Sequence, residues 1–257
     1  MKYNHVIETL RCRCRALSSQ YYSSYDKEIE AIGASRSFIR YRVTDEMSYK
    51  LGMLIDREYQ SFSHLIHDIR AQIPVRLDLF LAGCTAEEDL LHIQAAEDAV
   101  REFLARISPD CSRPNVPYER NIVGEEADIV ISRFRSTWGY DPVKQWYPVT
   151  GGTEEDKLFI MVEHIENYMD EICRLIGLPE NRMYTYGEGW YPGIPACSEV
   201  EELIGYGGCE IAYTDKDFRW IIYFSHEQTV TFAGSILPGI QKILKKEREH
   251  WNKWELF

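Results

Sequence analysis

Between Glu210 and Ala233 three short β-rich runs follow one another with only turn-sized gaps: Glu210–Tyr213, Phe218–Phe224 and Thr229–Ala233. Their separators, Asp215-Lys216-Asp217 and Ser225-His226-Glu227-Gln228, are polar and turn-prone. Strands this close in sequence leave no room for a crossover helix, so they must pair antiparallel. On the middle run Trp220, Ile222 and Phe224 share one face and Arg219, Ile221 and Tyr223 the other, so both faces are expected to be covered. A contiguous meander combined with long helical stretches points to an α+β class rather than a doubly wound sheet. The expected architecture is several amphipathic helices with a mixed or antiparallel sheet. The C-terminal three-stranded meander is followed by a helix from Ser235 to Trp254, with Pro238 tolerated in its first turn.

The rest of the chain is read from hydrophobic period and caps. Residues 2–17 are expected to form a short amphipathic helix, and Ser37–Val43 a strand. Residues 45–73 are expected to form one long helix with Thr44 as its N-cap and Pro74 as its stop. Its stripe includes Met47, Leu51, Ile55, Leu65, Ile69 and Ile73. Val75–Leu79 alternates like a strand, and Thr85-x-x-Glu88 is a capping box for a helix reaching about Ile107. Ala127–Phe134 is read as a strand. A further helix is read from Thr153, with Leu158, Val162, Ile165, Met169, Ile172 and Ile176 on one stripe and Gly177 as its stop. Ser198-x-x-Glu201 is a second capping box, opening a short helix to Gly205. The loop at residues 108–117 is the natural boundary. The chain is read as a single domain, 1–257, or as a helical part, 1–108, and an α+β part, 118–257.

Charge narrows the partners. The chain carries 29 Lys and Arg against 41 Asp and Glu, a net charge of −12. The bases gather at the two ends, at Lys2, Arg11, Arg13 and Arg15 and again within residues 242–253, which leaves the middle strongly acidic. Nucleic acid is disfavoured as a partner and a basic protein is favoured. No stretch approaches the roughly 20 apolar residues of a membrane span, and Met1–Glu8 has no apolar signal region. Seven cysteines at irregular spacing fit neither a disulfide framework nor a zinc knuckle. Reduced thiols in the cytoplasm, and no cofactor, are the expectation.

Two loops stand out chemically. Trp138–Gly152 and Tyr184–Pro195 both contain Trp-Tyr-Pro beside glycines. Rigid rings in surface loops are contact anchors for proteins, sugars or bases. Trp146, Tyr147, Glu188, Trp190 and Tyr191 are therefore the candidate binding residues. The alternative is that these loops fold down and cap the core. His226 and Glu227, at the tip of the last hairpin, are candidates for acid–base work in a cleft, although neighbours on a strand point opposite ways. Cys197 is a weaker candidate nucleophile with His226 as its base. His64, His67 and Asp68 sit together on the polar side of a helix and need a third ligand from elsewhere to hold a metal; His92, Glu163 and His164 are sources. Thr150-Gly151-Gly152-Thr153 looks like a phosphate cradle, but Glu154, Glu155 and Asp156 repel an anion, so the segment is read as helix capping.

No family motif is placed residue by residue. In profile alone the chain is similar to bacterial immunity proteins encoded beside toxins: acidic, aromatic-rich and without a catalytic motif. The resulting expectation is a non-catalytic cytosolic binding module, an inhibitor or immunity-like protein for a basic partner. The alternatives are a hydrolase with its cleft near His226 and Glu227, and sugar or nucleotide binding by the aromatic loops.

Overall fold

The computed structural model describes residues 1–32, 36–73, 87–116, 118–142, 156–178, 182–188, 195–199, 203 and 210–253. It divides into two compact units, Met1–Val116 and Pro117–Phe257. The first is helical: α1 (Asn4–Ile32), α2 (Arg36–Gly52), α3 (Phe62–Gln72) and α4 (Glu87–Arg106). The second contains β1 (Glu119–Asn121), α5 (Glu125–Trp138), β2 (Lys157–Met161), α6 (Met169–Leu175), β3 (Arg182–Gly187) and β4 (Ala196–Glu199). It continues with β5 (Ile211–Asp215), β6 (Trp220–Phe224), β7 (Thr229–Gly234) and α7 (Leu237–Ile243). The class is α+β, and the meander followed by a helix stands where the strand-and-turn pattern put it.

In the helical unit α1 lies along α2, and α2 along α4. Val6, Ile7, Leu10 and Cys14 of α1 are buried at three- and four-residue spacing. Ser37–Val43 is not a strand: it opens α2, because Ile39, Val43, Met47 and Leu51 form one i, i+4 stripe, all buried. Thr44 is accordingly no N-cap. It sits inside α2, returns its hydroxyl to the Arg40 and Tyr41 carbonyls, and shares a 2.8 Å hydrogen bond with Ser18. The helix read over 45–73 is two helices. Gly52 ends α2, Asp56 takes a left-handed φ of 67°, and Asn4 holds that turn through the Asp56 amide and carboxylate. Ser61 then caps α3 by accepting the His64 amide. The first helix runs to Ile32 rather than ending near residue 17. The strand read at Val75–Leu79 and the capping Thr85 lie outside the described residues.

The second unit is organised by a seven-stranded antiparallel sheet in the order β1-β4-β3-β5-β6-β7-β2. One face carries Met183, Tyr213, Trp220, Ile222, Phe224, Val230 and Phe232, with Leu158 and Ile160 of β2. It packs against Ile172 and Ile176, at the end of α6, and Ile240 and Leu244, at the end of α7. The other face takes α5 through Val130, Phe134 and Trp138. Phe134 lies 5.3 Å from Tyr186 and 5.1 Å from Phe218, ring centre to ring centre. β6 is buried along its whole length, as expected for a strand covered on both faces.

Ala127–Phe134 is thus helical, not extended. Glu125, Glu126 and Asp128 favour a helix start, the buried residues recur every four, and Gly139 closes the helix at a φ of 64°. The helix read from Thr153 is replaced by β2, two 3₁₀ turns (Val162–His164 and Glu166–Tyr168) and then α6. Leu158 and Ile160 alternate inward, whereas only the later part of that stripe is helical. Ser198 lies in β4, so it caps no helix, and Glu201 lies outside the described residues. The C-terminal helix stops at Ile243 and continues as a 3₁₀ turn, Lys245–His250.

Candidate functional site

Antiparallel pairing of β5 with β6 sets Ile211 against Phe224. This brings the residue just before β5 to the start of the β6–β7 hairpin. That residue is Glu210, which has no solvent exposure. Its Oε1 lies 2.5 Å from His226 Nδ1 and also accepts the His226 backbone amide at 3.3 Å. On the other side of the ring, His226 Nε2 lies 3.2 Å from Glu227 Oε1. The two neighbours therefore meet, because they sit in a turn rather than on a strand. The imidazole is about one-third exposed and Glu227 about half.

Glu210 is held where a carboxylate is costly. Burial pushes its carboxyl above the usual range; the His226 amide and imidazole pull it down, and Glu188 pushes it up again. Its Oε2 has no hydrogen-bond partner among the described residues. The backbone here is tightly packed: Glu188 N–H donates to the Glu210 carbonyl at 2.9 Å, and a Cβ on Gly187 would collide with that same oxygen. Tyr140, fully buried, donates its hydroxyl to the Tyr186 carbonyl. Burial first, and Glu210 second, push that phenol well up.

Ser225 is committed to the turn. It accepts the Glu227 amide, shares a hydrogen bond with Thr229, and gives its carbonyl to Gln228. Cys197 sits on β4 opposite Tyr184, which pairs with Thr214 at the far end of β5 from Glu210. Cys197 is therefore not brought to His226, and burial pushes its thiol up, the opposite of what a nucleophile needs. His64 and His67 are exposed on α3, with Asp68 half-buried beside them. Trp146, Tyr147, Trp190 and Tyr191 lie outside the described residues, so of the aromatic-loop set only Glu188 is placed, next to Glu210.

The arrangement holds an imidazole between a buried carboxylate and an exposed one. The buried partner fixes the ring's orientation, which suits either proton exchange at Nε2 or a rigid polar contact surface. Glu210 was missing from the sequence-based candidates, although its position was implied by the meander, whose pairing sets the start of one strand beside the end of the next. Acid is also unevenly divided between the units. Met1–Val116 carries 17 acids and 15 bases, whereas Pro117–Phe257 carries 24 acids and 14 bases. Within the helical unit Arg11 is buried and donates to the Ser48 carbonyl, so part of the basic N-terminal segment is used within the fold. Comparison with protein-family models, with curated proteins and with solved structures gives no match.

Proposed function

We propose that this chain is a cytosolic, non-catalytic binding protein for a basic protein partner, in the manner of an inhibitor or immunity protein, and that the sheet unit carries the recognition surface. The observation that carries this reading is the concentration of acid in that unit, 24 acids to 14 bases, with Glu188 and Glu227 flanking the His226 turn. Such a field accelerates encounter with a basic surface and repels nucleic acid. The described cysteines, Cys12, Cys14, Cys111, Cys173 and Cys197, are unpaired, which suits a reducing compartment.

The test is affinity capture on the full chain from its native source, with mass spectrometry at low and high salt. Basic proteins retained at low salt and released at high salt are expected, with slower association to a Glu188→Lys, Glu227→Lys chain. Acidic or salt-insensitive partners would sink the reading.

The 2.5 Å contact between Glu210 and His226 favours a second reading, acid–base hydrolysis at His226 Nε2. It predicts turnover of a chromogenic ester, phosphoester or glycoside that His226→Gln abolishes. Absence of turnover across the three classes would remove it.

A further inference from the structure

β2 ends the sheet, and the segment following α7 returns to it. The return is fixed at two points. Asn252 N–H donates to the Phe159 carbonyl at 2.8 Å, and Phe159 N–H donates to Asn252 Oδ1 at 2.9 Å. Asn252 makes both bonds in a left-handed conformation, φ 55°, which asparagine tolerates better than most residues. Ile240 and Leu244, both fully buried, anchor the chain just before it. Two residues before Asn252 is His250, and five after Phe159 is His164, so the clamp sets them side by side. Their rings stack at 3.9 Å with an interplanar angle of 21°.

The third member comes from the geometry of the 3₁₀ turn Lys245–His250. With three residues per turn, side chains at i and i+3 eclipse, so Glu247 projects alongside His250. Donor atoms of His164, Glu247 and His250 all lie within 4.8 Å of one another. The Tyr168 hydroxyl donates to Glu247 Oε1 at 2.8 Å and fixes that carboxylate. Glu163 and Glu249 stand 3.7 Å from the Nε2 atoms of His164 and His250, which adds negative potential where a cation would sit.

We propose that His164, Glu247 and His250 form a binding site for a zinc-class divalent ion. Two imidazoles and one carboxylate suit zinc and its neighbours, while magnesium and calcium prefer all-oxygen shells. Metal–ligand bonds of about 2.0–2.2 Å require the donors to close by roughly 1 Å and the stacked rings to splay, motions available to half-buried side chains. Three protein ligands leave a fourth position for water. An ion here ties the C-terminal turn to the segment that leaves the edge strand, so binding favours the folded chain.

The full chain, stripped with a chelator and dialysed, is titrated with Zn²⁺ by calorimetry and with Co²⁺ by visible absorption. One ion per chain is expected, with the intense bands of four-coordinate cobalt and a raised Tm. Binding is lost in His250→Ala and in Glu247→Gln, and weakened about tenfold in Tyr168→Phe, the usual effect of removing an outer hydrogen bond. In the unmodified protein, zinc shields His164 and His250 from diethylpyrocarbonate and leaves His64 and His67 reactive, a readout that needs no variant to fold. Failure to bind, binding that survives both substitutions, or protection of His64 and His67 instead overturns the proposal.

Discussion

Glu210 shows what a single side chain does to pH dependence. Its folded state holds a proton more tightly than the unfolded chain, whose value is the ordinary 4.5. Between 4.5 and the raised folded value the native state binds more protons, so this group's contribution to stability falls as pH rises through that window. Glu210→Gln removes the ionisation. The variant's stability relative to the parent is expected to rise as pH climbs above 4.5 towards the raised folded value, measured by urea denaturation. A flat difference would show that the carboxyl is not desolvated. Replacing Glu210 by Ala instead strands the His226 turn and is expected to cost about 1–3 kcal/mol at neutral pH, the penalty for orphaning a buried hydrogen-bonding partner. His226 and Glu227 were legible as a turn pair because they are adjacent; Glu210 was harder to see because its role depends on strand register. Trp146 and Trp190 were legible as candidate anchors by residue type alone, and both lie outside the described residues.

At the scale of elements, local pairing decided what was readable. The meander of β5, β6 and β7 was clear because each strand finds its partner within a few residues. Segments whose partners lie far away were misread in both directions. Ile129-Val130-Ile131 resembles a strand by propensity, yet a strand would set Ser132 and Ser136 on the same face as Val130, Phe134 and Trp138, whereas α5 buries the three apolar side chains and leaves both serines exposed. Leu158 to Ile176 resembles one helix by spacing. Its start is nonetheless recruited as β2 by β7, with five residues in register. The helical reading of α5 makes a sharp prediction. Phe134→Ala, which removes a fully buried ring from the aromatic cluster, is expected to cost about 3–5 kcal/mol. Ile129→Ala, at a position 55% exposed, is expected to change stability by no more than about 0.5 kcal/mol. Equal losses in chemical denaturation would contradict the helical register.

For the whole molecule, what matters is that each unit owns a core. In Met1–Val116, buried Val6, Ile7, Leu10, Val43, Met47, Leu51, Leu65 and Ile69 belong to helices of that unit. In Pro117–Phe257 the sheet is closed on one face by the α6 and α7 residues and on the other by α5. A unit with a two-faced core of this kind has the means to fold alone. Residues 117–257 expressed separately are therefore expected to unfold in one cooperative urea transition and to keep the buried-tyrosine near-ultraviolet signal of Tyr140, Tyr186 and Tyr223. The fragment also keeps 24 of the 41 acids, so under the proposed function it is expected to show salt-sensitive capture of basic partners, while Met1–Val116, nearly balanced in charge, is not. Capture that follows the helical unit would move the recognition surface off the sheet. Loss of cooperative folding in the fragment would show that residues 117–257 require the helical unit in order to fold. The two outcomes are separable because one is read by binding and the other by denaturation.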